Sequence, residues 1–337
     1  MNSPDNSHPP RRKRKRRPPS LESEERSGFA AVAPRDATAQ AAKSIPAPSA
    51  AVHLTLAICC SLLLVFCMAA APRGTRQDAG QLFLGALLLA AILQLPAVYW
   101  QHRGSAERRD AALMLPWAVV LAVLMAQMAR TASTLTFPLC DTLWRSFDEH
   151  LGINVPAMMA WAARHSMVHT VLTDSYALSE PFLIMAIFLP PLLGKREASE
   201  RFFVTNAIGF VIALPIVALF PAVGPWVGWQ FQPDSMQRIC EASIHTLRQG
   251  TVHGALFGGT ICLPSFHTFW AVVSAHAMQP FRLLRYPAIV LAILIMISTM
   301  TTGWHYGADV ITGFLLAVIS TAIATAIVSK RRGPAGA

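Results

Sequence analysis

Apolar residues are concentrated in long windows that short polar connections separate. The windows approach or exceed the roughly 20 residues that a helix needs to cross about 30 Å of hydrocarbon. We count eight, at residues 53–71, 82–100, 113–129, 176–193, 202–222, 264–279, 287–304 and 307–328. The composition agrees, because 53% hydrophobic and 14% charged residues is too apolar for a soluble domain. We therefore predict an all-α polytopic membrane protein.

The first 50 residues lack this pattern. They are rich in Pro, Ser and Ala, and the basic run RRKRKRR from Arg11 to Arg17 supplies most of the net charge of +10. Such a segment cannot build a hydrophobic core, so residues 1–50 are predicted to be a disordered cytoplasmic tail. Beside eight spans, the basic run indicates contact with anionic lipid headgroups and not with nucleic acid. A simply solvated group of charges is the alternative.

The charges of the connections predict an orientation. With the N-terminus inside, the cytoplasmic connections are short and basic, at 101–112, 195–201, 279–287 and 329–332. This is the distribution that the positive-inside rule requires. The long connections 130–175 and 223–263 then lie on the outer face of a plasma or inner membrane, and both chain ends are cytoplasmic. The late start of the first apolar window argues against a signal peptide.

These outer connections contain two further features. The segment NVPAMMAWAARHSMVHTVL, within 130–175, has apolar residues at helical spacing. It is predicted to be a helix lying in the membrane interface, with its arginine and two histidines as interfacial polar contacts. Cys240 and Cys262 would pair if the outer compartment is oxidising, and the chain has no Cys or His spacing typical of a metal site.

Ionisable side chains lie at the outer ends of the last three windows, where they are costly and indicate function. His305 and Asp309 are four residues apart, so on a helix the carboxylate can bond one imidazole nitrogen. That bond leaves the other nitrogen as a base or nucleophile. The stretch PSFH (264–267) is typical of a helix start, where Ser265 and free backbone amides form an anion site beside His267.

PSFH, followed about forty residues later by S-x-x-x-x-G-W-H-Y-G-A-D-V-I-T-G, resembles the second and third signature motifs of the type 2 phosphatidic acid phosphatase superfamily. The resemblance covers roughly 113–328 as a six-helix core. Residues 51–112 then add two N-terminal transmembrane helices, and 329–337 form a cytoplasmic tail.

The resemblance also implies roles for individual residues. His305 would attack phosphorus to form a phosphohistidine, and Asp309 would orient and charge it. His267 would protonate the leaving group. Ser265 and the neighbouring amides would hold the phosphoryl oxygens, without a metal ion or other cofactor.

Two departures from the family pattern remove cations. Thr299 stands where the family usually has an arginine, and KREASERF lacks both the spacing and the proline of the first motif. The divergent branch that includes inositolphosphorylceramide synthases also lacks that arginine and carries an F-P-x-x-x-P-W-like element, which LFPAVGPW (219–226) resembles. Because transferring phosphoryl groups need positive charge, we predict that Arg248, in the same outer loop, is the replacement.

The predicted function is an integral-membrane phosphatase or phosphotransferase that acts on a lipid phosphate at the outer face, through a phosphohistidine and without metal. The alternative is a catalytically impaired protein of the same fold that binds lipid or assists transport. A multi-span transporter would carry charges near the membrane midplane, whereas here they lie at one face. The sequence leaves open which lipid is used and whether water or an alcohol accepts the phosphoryl group.

Overall fold

The computed structural model describes residues 50–70, 84–249 and 262–329, which are mainly helical and contain no strand. Residues 1–49 of the predicted disordered N-terminal tail and residues 330–337 of the predicted C-terminal tail lie outside the described residues. So does the segment 250–261 of the outer loop that precedes PSFH.

The helices of the first half are, in chain order, α1 (Ala50–Ala70), α2 (Leu84–His102), α3 (Ala106–Ala112), α4 (Leu115–Thr134), α5 (Asp141–His150), α6 (Val155–Arg164) and α7 (Ser166–Ala177). Those of the second half are α8 (Ser179–Leu192), α9 (Arg196–Leu219), the single turn α10 (Pro225–Gly228), α11 (Ser235–Arg248), α12 (Phe266–Ala277), α13 (Arg285–Thr301) and α14 (Gly307–Ser329).

The all-α polytopic class is confirmed, and the described residues contain fewer full-length apolar helices than the eight predicted windows. Among the described residues, five stretches are long and apolar enough to cross a membrane, namely α1, α2, the run from α3 through α4, α9 and α14. The pair α7 and α8 makes a sixth if its 42° bend lies within one span. The remaining two predicted windows correspond to α12, with 12 residues, and α13, with 17.

The shortness of α12 has a local cause. At 1.5 Å per residue it is about 18 Å long, well short of the hydrocarbon thickness. Its first turn is capped by Ser265, which is itself buried. Part of the apolar window 264–279 therefore consists of capping and loop residues that pack inside the protein. The predicted interfacial helix of the outer connection is likewise two helices, α6 and α7, which meet at His165.

Helix α9 lies at the centre of the bundle and packs against α1, α4, α8, α12 and α14. Close approach to α12 depends on Gly209, where a Cβ atom would overlap the ring of Phe269. Asn206 of the same helix accepts a hydrogen bond of 3.0 Å from the indole of Trp270. The apolar core therefore extends from α9 to the helix that begins with PSFH, and it holds that helix in a fixed position.

One end of the bundle carries a network of buried charges, which we call the charged end. Asp110 is fully buried and accepts hydrogen bonds from Arg109 at 2.7 Å and from Arg196 at 3.2 Å. Arg196 also pairs with Glu200 at 2.8 Å. A cavity of about 580 Å³ opens beside them and is lined in part by Ser329, the last residue of α14. These contacts join α3 to α9.

The other end is formed where α13 finishes and where α12 and α14 begin, and we call it the histidine end. The amide of Ser265 donates to the carbonyl of Asp309 at 3.0 Å, which ties the start of α12 to the start of α14. At Gly313 a Cβ atom would overlap the Ser265 carbonyl, so the two backbones are in direct contact. About 30 Å of helix separates Asp309 from Ser329 and the cavity.

Candidate active site

His305 lies in the short connection between α13 and α14. Gly303 has a φ of 76°, a conformation that glycine adopts without a steric penalty, and it reverses the chain there. The amides of Trp304 and His305 then both donate to the carbonyl of Thr299 at 3.1 Å. Thr299, which stands where an arginine was expected from the family pattern, contributes a backbone acceptor that fixes the histidine loop.

Asp309 lies in the first turn of α14, and the structure brings it against His305. Its Oδ2 is 3.3 Å from His305 Nδ1 and accepts a hydrogen bond of 2.8 Å from the amide of Tyr306. Both residues are buried, with His305 4% exposed and Asp309 fully enclosed. A carboxylate at this distance holds the imidazole ring in one orientation and stabilises positive charge on it.

A backbone carbonyl defines the tautomer of His305. Its Nδ1 is 3.0 Å from the carbonyl oxygen of Cys262, which can only accept a hydrogen bond. Nδ1 therefore carries the hydrogen, and Nε2 of the neutral ring keeps its lone pair. Burial lowers the pKa of His305 to about 4, so the ring is neutral near pH 7. This is the form that an attacking nitrogen requires.

His267 faces that lone pair. It is the second residue of α12, whose cap Ser265 accepts a hydrogen bond of 3.3 Å from the amide of Thr268. His267 Nδ1 lies 3.2 Å from His305 Nε2. Because Nε2 of His305 is the acceptor, His267 Nδ1 is the donor. The three predicted ionisable residues therefore form one continuous chain from Asp309 through His305 to His267.

The two residues predicted to bind phosphate behave differently. Ser265 is fully buried and its hydroxyl caps α12, directly below the first amides of the helix. Arg248 instead donates to the carbonyls of Leu135 at 3.0 Å and Phe137 at 2.6 Å, which follow α4. Within the described residues, no hydrogen bond or ion pair joins Arg248 to either histidine. The structure therefore does not bring Arg248 into the site.

Sequence reasoning missed two acids on α5. Asp148 accepts hydrogen bonds of 2.8 Å from the amides of Gly307 and Ala308, the first two residues of α14. Asp141 accepts from the amides of Val223 and Gly224 at 2.9–3.1 Å. Burial raises the pKa of Asp148 to about 6 and also raises that of Asp141, although these hydrogen bonds act in the opposite direction.

Tyr306 connects the histidine loop to the LFPAVGPW element. Its hydroxyl donates to the carbonyl of Gly224 at 2.8 Å and lies 3.0 Å from Asp141 Oδ1. The ring is fully buried, and a Cβ atom at Gly228 would overlap the same hydroxyl. The element predicted to contribute to the site therefore packs against the residue that follows His305.

Aromatic side chains cover the site. The ring of Tyr176, on α7, stacks on His267 with ring centroids 4.9 Å apart and lies nearly parallel to Trp304 at 6.4 Å. Trp226, of the LFPAVGPW element, meets Trp304 edge-on at 5.9 Å. No sequence signal pointed to Tyr176, because it lies about 90 residues before His267 in an ordinary apolar helix.

No disulfide joins Cys240 to Cys262, so the predicted pairing is not formed in the structure. The Cys262 thiol donates to Asp309 Oδ2 at 2.8 Å. Burial, followed by the nearby Asp309 carboxylate, raises the pKa of this thiol well above its ordinary value. Cys262 therefore belongs to the set of donors around Asp309.

The fold and the site define an all-α, multi-pass membrane protein with paired histidines at the ends of its helices. A family model described as the PAP2 superfamily matches residues 142–323, which is more than half of the chain, and the protein belongs to this superfamily. No curated protein and no solved structure gives a significant match. Membership supports a membrane phosphatase or phosphotransferase function. The match begins within α5, so the boundaries expected for a 113–328 core stay a prediction.

Proposed function

We propose that this protein transfers or hydrolyses the phosphoryl group of a lipid phosphate through a phosphohistidine on His305, without a metal ion, at the outer face of the membrane. The observation that carries the proposal is the chain of contacts from Asp309 through His305 to His267. It supplies an oriented nucleophile whose free nitrogen points at a proton donor. The match to the PAP2 superfamily supports the reaction class.

In the first step, the Nε2 lone pair of His305 forms a bond to phosphorus, and the bond from phosphorus to the ester oxygen breaks. The electron pair leaves on that oxygen, which takes a proton from the imidazolium form of His267; burial lowers the pKa of this ring to about 3, and the negative charge of the bound phosphate raises it. The imidazole ring then carries positive charge, and Asp309 stabilises it through Nδ1–H. In the second step, water or an alcohol gives a proton to His267 and attacks phosphorus. The P–N bond breaks and its electron pair returns to Nε2.

This mechanism requires movement of the His267 ring. The nitrogens of the two rings are 3.2 Å apart, in direct hydrogen-bond contact, so a phosphoryl group cannot fit between them. The reacting atoms must approach to about 3–3.5 Å, and the ring of His267 must therefore swing away from His305. Tyr176, stacked on the far side of that ring, has to shift with it.

Backbone amides are the best-supported ligands for the phosphoryl oxygens. Within the described residues, the amides of Phe266 and His267 have no hydrogen-bond acceptor, because they belong to the first turn of α12. They add to the positive end of the helix dipole beside His305. Arg248 would have to leave the carbonyls of Leu135 and Phe137 to contribute, so the amides carry more of the proposed binding.

The finer assignment is to the branch similar to inositolphosphorylceramide synthases, with transfer to an alcohol. Its support is the LFPAVGPW element, which is packed against Tyr306, and the threonine in place of the usual arginine.

The test is a panel of lipid phosphates, including phosphatidate and a polyprenyl diphosphate, assayed in detergent with EDTA and with or without alcohol acceptors. We expect phosphate release or transfer, an acid-labile labelled phosphoenzyme, and loss of both in His305→Ala. The folded state of that variant is checked by its elution profile and thermal unfolding.

Requirement for a metal ion would contradict the mechanism. A well-folded wild-type protein that binds the lipids but forms no phosphoenzyme with any of them would support the non-catalytic alternative. Product that appears only with an alcohol acceptor would assign transfer over hydrolysis.

A further inference from the structure

Three potential metal ligands meet on the Nδ1 side of His305, opposite His267. They are the Cys262 thiol, His305 Nδ1 and an Asp309 carboxylate oxygen, which all lie within 4.8 Å of one another. Asp309 Oδ2 is 2.8 Å from the sulfur and 3.3 Å from Nδ1. All three side chains are buried, at 5% exposure or less. No sequence motif indicated this cluster, because Cys262 lies 43 residues before His305.

The spacing fits a tetrahedral ion after small adjustments. Zinc bonds of about 2.0 Å to nitrogen or oxygen and 2.3 Å to sulfur place neighbouring ligand atoms roughly 3.3–3.5 Å apart. The nitrogen–oxygen separation already has this value, and the sulfur–oxygen separation of 2.8 Å has to open by about 0.7 Å. Asp309 Oδ1 is buried without a hydrogen-bond partner, so the carboxylate has an unused lone pair for an ion.

The donor set selects among metals. A thiolate with an imidazole and a carboxylate suits zinc, whereas magnesium and calcium require oxygen ligands. Three protein ligands leave one position for water, as in zinc sites that are not purely structural. Binding would release the thiol proton and move the Nδ1 hydrogen of His305 to Nε2, because a metal takes the deprotonated thiolate and the Nδ1 lone pair of the neutral imidazole.

We infer that Cys262, His305 and Asp309 form a zinc-binding site, and that zinc bound there blocks the reaction. The second part rests on the proposed function. An ion on Nδ1 replaces the hydrogen that the Cys262 carbonyl and Asp309 hold, and it engages the carboxylate that would stabilise the phosphohistidine. The displaced hydrogen occupies Nε2, so that nitrogen has no lone pair with which to attack phosphorus.

Binding is tested first, without reference to activity. Full-length protein in detergent micelles is titrated with Co²⁺, which occupies zinc sites and gives a near-ultraviolet charge-transfer band when a thiolate is a ligand. We expect one equivalent per chain, with the band displaced by Zn²⁺. Cys262→Ser should lose the band and bind zinc at least about 100-fold more weakly. Cys240→Ser, at another buried thiol outside the cluster, should keep both.

If Cys262→Ser does not fold, Asp309→Asn serves as the second variant and should weaken zinc binding while the thiol is retained. No cobalt band in the wild type, or a band unchanged in both cluster variants, would overturn the site.

Inhibition is then measured as phosphate release with one equivalent of zinc and after EDTA. Full activity at saturating zinc would overturn the inhibitory role. A wild type that binds cobalt but is inactive both with and without zinc would contradict the proposed function and the inhibitory role, while the zinc site would stand on the cobalt titration.

Discussion

The two ends of the helix bundle both bury carboxylates, but they neutralise them in different ways. At the charged end, Asp110 is paired with two arginines. At the histidine end, Asp148 and Asp309 accept only from backbone amides, a thiol and an imidazole, and no lysine or arginine pairs with them within the described residues. A carboxylate bonded to neutral donors keeps its negative charge available to its surroundings. The histidine end can therefore stabilise an imidazolium, whereas the charged end is electrostatically satisfied.

Substitution of one histidine near each end of α12 should give the largest difference in activity. His267→Gln should lower kcat/KM about 10²–10⁴-fold, because it removes the proposed proton donor. His276→Gln, nine residues farther along the same helix and with a buried Nε2 that lacks a partner, should change activity little. Initial rates on one lipid phosphate measure both. Equal losses would mean that the effect comes from the packing of α12 and not from chemistry.

Substitution of one buried carboxylate at each end of the bundle should affect stability and activity differently. Asp110→Asn breaks a buried ion network and should cost about 3–5 kcal/mol of unfolding free energy, because it removes the carboxylate charge that Arg109 and Arg196 share. The rate per folded molecule should stay near that of the wild type, since the network lies at the far end of the bundle.

The counterpart is Asp148→Asn, which should cost only about 1–3 kcal/mol, because one amide at the start of α14 loses its acceptor. It should also lower the rate, since that turn carries Asp309. Thermal unfolding and specific activity of both variants are compared on the same preparations. A rate loss in Asp110→Asn as large as in Asp148→Asn would remove the distinction between the ends.

A smaller change at the histidine end is Tyr306→Phe. It removes a hydroxyl that bonds Gly224 and Asp141 but keeps the ring, so about 1 kcal/mol of stability should be lost. Asp141 keeps its two amide donors. Thermal unfolding gives the cost, and Tyr99→Phe, on the half-exposed surface of α2, is the matched control. A larger effect in the control would show that the tyrosine network does not fix the loop.

The smallest expected effect is that of pH. A protonated Nε2 cannot attack, so activity falls as the pH drops through the pKa of His305, which burial lowers to about 4. From pH 7 to 5.5 the kcat/KM should therefore not fall, because the pKa of the facing His267, which burial lowers to about 3, also lies below this range. An ordinary histidine would give roughly a tenfold loss over that range. An acid limb centred near pH 6 would instead point to Asp148.

Local patterns account for what the sequence could predict. His305 and Asp309 share a helix turn, and Ser265 and His267 lie within one cap, so their proximity follows from spacing alone. That the two pairs belong to one site was inferred only from the family resemblance. Asp148 was missed because its partners on α14 are about 160 residues away. The available signal was the pair of acids seven residues apart in DTLWRSFDEH, which lie on one face of an amphipathic helix.

The placement of Arg248 differs from what its position in the chain suggested. Its closeness to PSFH in the chain suggested a phosphate ligand, but α11 directs its guanidinium to the carbonyls that follow α4. The length of the apolar window at 264–279 also differs from that of the helix it predicts. Hydropathy counts cap residues packed inside the protein as though they faced lipid, so the window is longer than α12.

Gly313 has a consequence for how this chain can vary. Two backbones meet there, and any side chain would collide with the Ser265 carbonyl. A substitution at 313 is therefore tolerable only if the PSFH segment changes its path at the same time, and a change of path at Ser265 needs new space along α14. The two positions are predicted to behave as one unit in a library of random variants, with single substitutions at 313 depleted and rescue found only in clones altered near 265.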